Sequence, residues 1–456
     1  MKNDFSEGPV WKRILSQAVP LMLAQMVQLL YNVVDRIYIG HMDSGSGLAL
    51  TGVGLTFPIV TFIVAFASLF GSGGIPLFSM ANGAGSEKRA GKILGTSCFL
   101  LLSSAAVLTV LGYFLSDPIL RLLGASEDSI IYADEYLRVF ILGTVFSMIS
   151  TGLNGYISAQ GFPRAGMFTV VAGALLNTAL DPVFIFALKM GVSGAALATV
   201  ISQAVSALWI IYFLTRKTTP LRLRRENIRP DREIAGKICR LGTSNFIMSG
   251  TACFVQAACN STLQAFGGDL FVGIMTVLNS IRDIFMLPVS GLISGAQPVM
   301  SFNYGAGKYD RVRAAIRFNT IAGAAYTSFA WLMILVIPRF WFRIFSDSPE
   351  MLEQGVHAVK LYFFGFVFMS FQFAGQSVFQ ALGDARHAIF FSLLRKAFIV
   401  IPLTLLLPRM GMGVDGVFIA EPISNALGGV ACFTTMMLTI YRRLKAKEDQ
   451  PPVQEN

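Results

Sequence analysis

Four polar side chains interrupt the first long apolar stretch of the chain, which spans residues 14–39. They are Gln25, Gln28, Asn32 and Asp35, and their spacings of three, four and three residues place them on one face of a helix. An ionised carboxylate at the centre of a bilayer costs roughly 2.5–3.5 kcal/mol even on lenient insertion scales. This face should therefore line a wet cavity or a protein interior, and Asp35 is the group expected to do ion chemistry.

The composition is typical of a protein that lies in lipid. Of the 456 residues, 54% are hydrophobic and only 14% are charged, whereas soluble proteins carry about 25% charged residues. The net charge of +10 could indicate a nucleic-acid binder, but the basic residues lie in short segments between apolar stretches. Such segments are typical of cytoplasmic loops, so we expect no nucleic-acid partner. The five cysteines have no paired spacing and are expected to be apolar fillers.

Twelve apolar stretches are long enough to cross a bilayer as helices. They lie near 14–39, 49–72, 93–114, 129–153, 165–187, 194–214, 238–263, 270–295, 314–337, 354–378, 389–408 and 414–438. Basic residues are concentrated in alternate loops, which places both termini in the cytoplasm. The sequence therefore predicts an all-α membrane protein with 12 transmembrane helices in the cell (inner) membrane. The N-terminus lacks a small-residue cleavage site, so we expect the first span to be retained.

One long polar segment, 215–237, interrupts the apolar pattern at the midpoint of the chain. Its many arginines are typical of a solvated cytoplasmic linker, and specific binding of lipid or nucleic acid is the alternative. We therefore predict an N-terminal six-helix lobe at 1–214 and a C-terminal six-helix lobe at 238–441. A cytoplasmic tail follows at 442–456.

The two halves of the chain are related by an internal duplication with a shift of 222 residues. PLFSMANGAGSEKR, beginning at Pro76, matches PVMSFNYGAGKYDR, beginning at Pro298. GVSGAALATVISQA at Gly191 likewise matches GVDGVFIAEPISNA at Gly413. A single register across most of six spans indicates a true repeat. Because each half has six spans, the repeats are parallel and related by a pseudo-two-fold axis along the membrane normal, with a substrate path between them.

The acidic residues differ between the halves. With the register slipped by two near the first span, Cys259 lies opposite Asp35, and Leu403 lies opposite Asp181. The ion site is therefore expected in the first half alone. Glu421 lies opposite a threonine and gives the second half an acid of its own.

In its order of features, the chain resembles the MATE (multidrug and toxic compound extrusion) transporters. The features are the parallel six-plus-six duplication, Pro20 and Asp35 in the first span, and a Gly-Ala-Gly basic loop after the second and eighth spans. The resemblance covers essentially the whole chain and implies two six-helix bundles in a V shape around a central cavity. It also implies an antiporter that exports large, often cationic and aromatic compounds in exchange for inward H+ or Na+, without a cofactor.

The resemblance further implies an ion-coupling site in the first lobe. Asp35 and Tyr31 match the acid and the tyrosine of the family's first helix, and Pro20 matches the proline at which that helix is thought to bend. The other matching positions are Asn177 and Asp181 on the fifth helix, Thr199 on the sixth and Tyr136 on the fourth. Some members carry acids on the seventh and tenth helices, where this chain has Gln256, Gln372 and Gln376, so a sodium site of that type is not expected.

The chemistry of these residues is compatible with either coupling ion. Carboxylate, amide and hydroxyl oxygens form a hard-oxygen cluster suited to Na+, whose ligands would be Asp35, Asn177, Asp181 and Thr199. Alternatively, two acids crowded into a poorly solvated site can take up a proton. The structural alternatives are that Asp35 pairs with Arg36 and that Asp181 caps a helix break before Pro182. Intramembrane acids are usually functional, so we favour an ion role that changes the helix at Pro20, where a backbone hydrogen bond is missing.

Polar residues of the second half are expected to line the substrate cavity. The adjacent Arg282 and Asp283 are either a structural pair or substrate ligands, and Glu421 either meets a cationic compound or packs between helices. The glutamine stripes are either interhelical glue or cavity lining. The predicted cavity residues are Gln256, Asn260, Asn279, Arg282, Asp283, Met286, Gln372, Gln376 and Glu421.

We predict an ion-coupled exporter of small amphipathic molecules that acts as a monomer in the bilayer. A flippase for lipids or lipid-linked precursors is the alternative, but it would need a large basic cavity, whereas basic residues here cluster in loops. An integral-membrane enzyme is the third possibility. It is disfavoured because the sequence contains no HExxH or GxSxG motif.

Overall fold

The computed structural model describes residues 4–40, 46–123, 126–345 and 348–448. Apolar segments in a bilayer must satisfy their backbone hydrogen bonds internally, and all the regular structure within these ranges is helical. The helices are α1 (Val10–Gly40), α2 (Ser46–Gly83), α3 (Glu87–Leu122), α4 (Ser129–Leu142), α5 (Thr144–Ala159), α6 (Pro163–Pro182), α7 (Gly191–Thr215), α8 (Arg232–Gly305), α9 (Tyr309–Val336), α10 (Pro338–Arg343), α11 (Pro349–Phe363), α12 (Phe368–Ala381), α13 (Ala385–Leu393), α14 (Ile401–Leu406), α15 (Gly413–Met436) and α16 (Arg442–Glu448). Turns of π-helix follow α6, α13 and α15 at Val183–Ala187, Leu394–Val400 and Met437–Tyr441.

The helices account for twelve membrane spans in the described ranges. Nine helices are long and apolar enough to cross a membrane, and two more spans are bent pairs, α4 with α5 at 58° and α11 with α12 at 47°. The 74-residue α8 supplies two spans, because Gly268 breaks it with non-helical angles of φ 70° and ψ −166°. The predicted all-α fold with twelve spans is therefore confirmed, and the chain is a multi-pass membrane protein.

The internal duplication is visible in the backbone. Helices α3, α6 and α7 begin 222 residues before α9, α13 and α15. Glycines with positive φ recur with the same shift: Gly85 and Gly307 have φ of 70° and 71°, and Gly161 and Gly383 have φ of 89° and 80°. Glycine adopts this left-handed conformation without the steric cost that a side chain adds. The turns that connect the helices are therefore repeated along with the helices themselves.

The chain folds into two compact units, each with its own core. The first unit contains Val19–Phe246, and the second contains Phe5–Ala18 and the chain from Ile247 onward. The segment predicted as a linker, 215–237, lies within the first unit, and its last six residues already belong to α8. On α1, large apolar side chains with spacings of three and four residues are exposed, as a helix face toward lipid requires: Val19, Leu23, Met26, Leu30 and Val33.

The N-terminal segment is held in the second unit by residues at the end of α8, at the start of α9 and in the loop between them. Asn303 Nδ2 donates to the Phe5 carbonyl at 3.1 Å. The Arg311 guanidinium donates to the Phe5 carbonyl at 3.0 Å and to the Gly8 carbonyl at 2.9 Å. Lys308 Nζ donates to the Ser6 carbonyl at 3.1 Å. These bonds satisfy carbonyls that precede the first helix turn, and they explain why Phe5–Ala18 belongs to the second unit.

Replacing Gly71 with alanine is expected to destabilise the first unit. A Cβ at this position of α2 would lie 2.5 Å from the Cα of Gly152 on α5, so the two backbones would have to separate. Overpacking of this kind costs about 1–3 kcal/mol. The thermal unfolding temperature of purified Gly71→Ala should fall, whereas Gly54→Ala, on the same helix but with nothing within 4 Å of its added Cβ, should not change it. Equal unfolding temperatures for the two variants would contradict this close helix contact.

Candidate functional site

Asn177 links two helices of the first unit at a buried acid. Its Nδ2 donates to Asp181 Oδ1 at 3.2 Å and to Thr199 Oγ1 at 3.3 Å. The spacing of four residues between Asn177 and Asp181 on α6 accounts for the first bond, and α7 supplies Thr199. Asn177 is 2% exposed and Asp181 is 0% exposed. The three side chains thus form a compact oxygen-rich cluster in the interior of the unit.

Two buried oxygens of this cluster have no hydrogen-bond partner among the described residues: Asp181 Oδ2 and Asn177 Oδ1. A buried polar atom without a partner is costly, and such atoms often mark a functional position. The helix does not end at Asp181, because π-helix follows directly after Pro182. Asp181 accepts its bond from a side chain one turn earlier, which is not the geometry of a helix cap. The capping alternative is therefore wrong for this residue.

The other predicted ion-site residues surround this cluster. Asp35 on α1 and Asp181 interact electrostatically, and Tyr136 on α4 interacts with both acids and with Tyr31. Tyr136 is buried, and its ring stacks on Phe140 with a centroid distance of 6.2 Å. The structure thus brings all six predicted residues of the ion site into one region. The alternative partner of Asp35, the side chain of Arg36, lies outside the described residues.

A cavity of about 560 Å³ lies beside this region in the first unit. Asp35, Tyr31, Tyr136, Asn177 and Thr199 belong to its wall. Apolar residues supply much of the remaining surface: Val53, Phe57, Val60, Val64, Phe140, Val170 and Ala174. This volume is in the range of small-molecule sites, which combine an apolar wall with a few polar groups. Its wall carries one carboxylate, and no lysine or arginine is among the described residues that line it.

The sequence reasoning missed several polar residues of this wall, although Gln28 and Asn32 of the stripe on α1 belong to it. The missed residues are Thr56 on α2 and Thr169 on α6, together with hydroxyl and amide side chains on α5 and α7, namely Ser147, Ser150, Thr151, Asn154, Ser202, Gln203 and Ser206. On α5 and α7 their spacing of three or four residues defines one face of the helix, which is the signal that identified the stripe on α1. Some hydroxyls of this wall bond to a carbonyl of their own helix, as Ser150 does to Ser147 at 3.0 Å, Thr56 to Val53 at 2.7 Å and Thr169 to Ala165 at 3.0 Å. Because small polar residues in membrane helices can make such local bonds, the sequence alone suggests a structural role for them.

A second cavity, of about 110 Å³, lies in the second unit. Four predicted substrate residues line it: Gln256, Asn279, Arg282 and Glu421. They belong to a hydrogen-bonded network in which Arg282 donates to the Tyr362 hydroxyl at 2.9 Å, and that hydroxyl donates to Asn279 at 3.2 Å. Asn279 then donates to Gln256 at 2.9 Å, and Gln256 donates to Asn260 at 2.8 Å.

Glu421 is engaged by two cations that the sequence reasoning missed. Lys396 Nζ donates to Glu421 Oε1 at 2.9 Å, and Arg395 donates to the same oxygen at 3.5 Å and to Asn425 Oδ1 at 2.6 Å. Both cations lie on the π-helix after α13 and are buried. The expectation that basic residues cluster in loops is therefore wrong for this pair. Their signal was an adjacent Arg-Lys inside an otherwise apolar stretch.

The remaining predicted cavity residues have other surroundings. Gln376 on α12 donates to the Ala388 carbonyl and to Ser392, both at 2.8 Å on α13, as interhelical glue does. Gln372 is also buried, and Met286 belongs to the hydrophobic core of the second unit. Asp283 is mostly exposed and pairs with Arg282 at 3.2 Å. None of these four lines either of the two cavities described above.

Comparison with known proteins identifies the family. Residues 20–183 and 246–406 match the MatE family model. The multidrug export protein MepA of Staphylococcus haemolyticus is 24% identical over 448 residues, which are 98% of this chain and 97% of that protein. MepA of Staphylococcus aureus is 23% identical over 439 residues, covering 96% and 95% of the two chains.

Solved structures show the same fold. A MATE protein in the bent conformation has a TM-score of 0.91 at 24% identity, covering 97% of this chain and 98% of that chain. An outward-facing multidrug resistance MATE family transporter has a TM-score of 0.89 at 24% identity, covering 98% of both chains. The matched family segments make up well over half of the sequence and include every helix that contributes to the buried acid cluster except α7. The chain belongs to the MATE family of transporters.

Proposed function

We propose that this protein exports amphipathic, cationic small molecules in exchange for inward H+ or Na+. The observation that carries the proposal is the cavity of about 560 Å³ in the first unit, with Asp35 in its wall and no basic residue among the described lining residues. Aromatic faces attract cations and bury apolar rings, and four aromatic residues line it: Tyr31, Phe57, Tyr136 and Phe140. Relatives that match nearly the full length are multidrug export proteins.

The coupling ion is proposed to act on the same carboxylate as the substrate. Asp35 belongs to the cavity wall and also interacts with the buried Asp181. A proton or Na+ at this pair would remove negative charge from the cavity wall and weaken its attraction for a cationic compound. Asn177 and Thr199 would orient the acids, and Tyr31 and Tyr136 would restrict the access of water to them. The ion and the exported compound would then exclude each other, which is what an antiporter requires.

Pro20 is proposed as the hinge that responds to the ion. Proline lacks the N–H that would bond to the preceding turn, so the helix bends there at low cost. The chain passes from the second unit to the first between Ala18 and Val19, next to this proline. The segment after the hinge carries Tyr31 and Asp35. A change in charge at Asp35 would therefore act on the part of α1 that can move. We further propose that both termini lie in the cytoplasm and that the protein acts as a monomer without a cofactor.

The lipid-flippase alternative and the enzyme alternative have less support. A lipid-linked anionic headgroup needs a large basic cavity, but the cationic cavity in the second unit has only about 110 Å³. The larger cavity carries the opposite charge. No described group of three or more His, Cys, Asp or Glu residues offers a metal site for hydrolysis. We therefore retain drug export as the proposed activity.

Efflux from vesicles under separately imposed gradients tests the coupling. Inverted membrane vesicles with the protein should accumulate a cationic dye when either a pH gradient or a Na+ gradient is imposed across the membrane. Vesicles without the protein should show no accumulation beyond passive partitioning. Accumulation under only one gradient identifies the coupling ion, and failure under both gradients would refute ion-coupled export.

A further inference from the structure

Three cationic side chains meet in one small region of the second unit. Arg395 and Lys396 are 7% and 8% exposed, and Arg282 lines the same cavity as Lys396. One buried carboxylate, that of Glu421, pairs with Arg395 and Lys396 and lines the same cavity as Arg282. The side chain of Asp283 also pairs with Arg282, but it is 63% exposed. Among the described residues, this cluster therefore contains more buried positive charge than buried negative charge.

Excess charge in a buried cluster requires compensation. Each ion removed from water costs several kcal/mol unless a partner of opposite charge replaces the lost hydration. Lys396 and Arg395 share a single oxygen of Glu421, at 2.9 Å and 3.5 Å. Arg282 donates to the neutral hydroxyl of Tyr362 and to the carboxylate of Asp283, which is exposed. A further anion in this cavity would balance the positive charge that the one buried carboxylate, Glu421, leaves uncompensated.

The cavity matches a small carboxylate in size and in lining. A volume of about 110 Å³ holds about three or four non-hydrogen groups, since a water molecule occupies about 30 Å³ of the liquid. Arg282 and Lys396 offer N–H donors, and arginine and lysine are the usual partners of carboxylates. Asn279 and Gln256 add amide groups to the wall. Glu421 already shows that a carboxylate is accommodated between the cations of this cluster.

We propose that this cavity is a binding site for a carboxylate group, held by Arg282 and Lys396. The carboxylate belongs to a small free acid or to an exported compound that carries both a cationic and a carboxylate group. The site shares no residue with the acid-lined cavity of the first unit. It does not depend on the identity of the coupling ion or on export itself, because binding can be measured without transport.

Thermal unfolding of the full-length protein in detergent tests the site with acetate as the probe. Sodium acetate replaces sodium chloride at constant Na+ concentration, ionic strength and pH. The unfolding temperature should rise with acetate and reach a plateau. Lys396→Met should weaken the apparent acetate affinity by about tenfold or more. Lys396→Arg keeps the charge and should retain the response to acetate. Lys217→Met should retain it as well, because it makes the lysine-to-methionine exchange at an exposed position in the first unit. If Lys396→Met does not fold, Arg282→Gln provides the same measurement.

Competition distinguishes the two sources of the carboxylate. Rhodamine B carries a cationic ring system and a free carboxylate, and its ethyl ester lacks the anion. Competition with acetate by the acid but not by the ester would assign the site to exported compounds. If neither dye competes while acetate still binds through Lys396, the ligand is a small free acid. The proposal would be overturned if the unfolding temperature reached no plateau with acetate or if chloride had an equal effect. It would also be overturned if both Lys396→Met and Arg282→Gln kept the wild-type response to acetate, since these cations would then not hold a bound carboxylate.

Discussion

Asp35→Asn should lower ion-driven dye export by about 10- to 100-fold at equal protein abundance. The amide has nearly the same shape, but it can neither exchange a proton at neutral pH nor supply a charged ligand for Na+. The loss of one charge-assisted interaction of about 1.5–3 kcal/mol corresponds to this range. Initial rates of dye accumulation in vesicles under an imposed gradient are the appropriate measurement. The substitution removes the only carboxylate among the described residues of the larger cavity wall, so binding of the cationic dye should weaken as well.

The matched control for this variant is Asp117→Asn. Asp117 is an exposed acid that pairs with Arg121 on α3 at 3.1 Å, and it lines neither of the two cavities. Exposed pairs of this kind contribute about 0–1 kcal/mol, so both stability and export should stay near the wild-type values. Export by Asp35→Asn at the wild-type rate, with Asp117→Asn behaving equally, would remove Asp35 from the coupling mechanism.

Glu421→Leu is expected to destabilise the protein by about 3–5 kcal/mol. Without this carboxylate, Lys396 and Arg395 would remain buried with no described counter-charge, and breaking a buried ion pair from one side typically costs this much. The purified variant should unfold at a clearly lower temperature than the wild type. Such a loss is larger than the effect expected from the volume change alone, because leucine is close in size to glutamate.

A double variant separates the charge effect from packing. In Lys396→Met with Glu421→Leu, two apolar side chains replace the closer of the two ion pairs, and part of the lost stability should return, while Arg395 keeps its bond to Asn425. Glu127→Gln serves as the control, since its salt bridge to Arg121 at 2.7 Å is exposed and should contribute under about 1 kcal/mol. An unfolding temperature of Glu421→Leu equal to that of Glu127→Gln would show that the buried cluster does not hold the second unit together.

The fold could be predicted because its causes are local and repeated. Runs of about 20 apolar residues specify spans through their length alone. The shift of 222 residues between the halves predicts that they share their turns. The paired glycines with positive φ are separated by the same shift. The break in α8 at Gly268 also follows from a local cause, since glycine tolerates angles that other residues avoid. The bends between α4 and α5 and between α11 and α12 depend on packing and were not predicted.

Prediction of the sites was less complete because their contacts are distant in sequence. Asn177 and Asp181 are one helical turn apart, so their spacing indicates their contact. Lys396 and Glu421 are separated by 25 residues and lie on different helical segments. No periodicity within one helix reports such a pair. The hydroxyl-rich wall of the larger cavity was missed for a different reason. Some of its hydroxyls, such as those of Thr56, Ser150 and Thr169, bond to a carbonyl three or four residues earlier on their own helix, and isolated hydroxyls in apolar helices are usually explained by such bonds.

The attachment of the N-terminal segment to the second unit affects the order in which the protein is assembled. Arg311 follows its partner Phe5 by 306 residues. At translation rates of about 5–20 residues per second, the carbonyl groups at the start of the chain wait roughly 15–60 s for that arginine to be synthesised. The second unit therefore cannot be completed from its own half of the gene product. A chain that starts at Ile247 would lack Phe5–Ala18, which is part of the second unit. The two duplicated halves of the chain therefore do not correspond to two independent folding units.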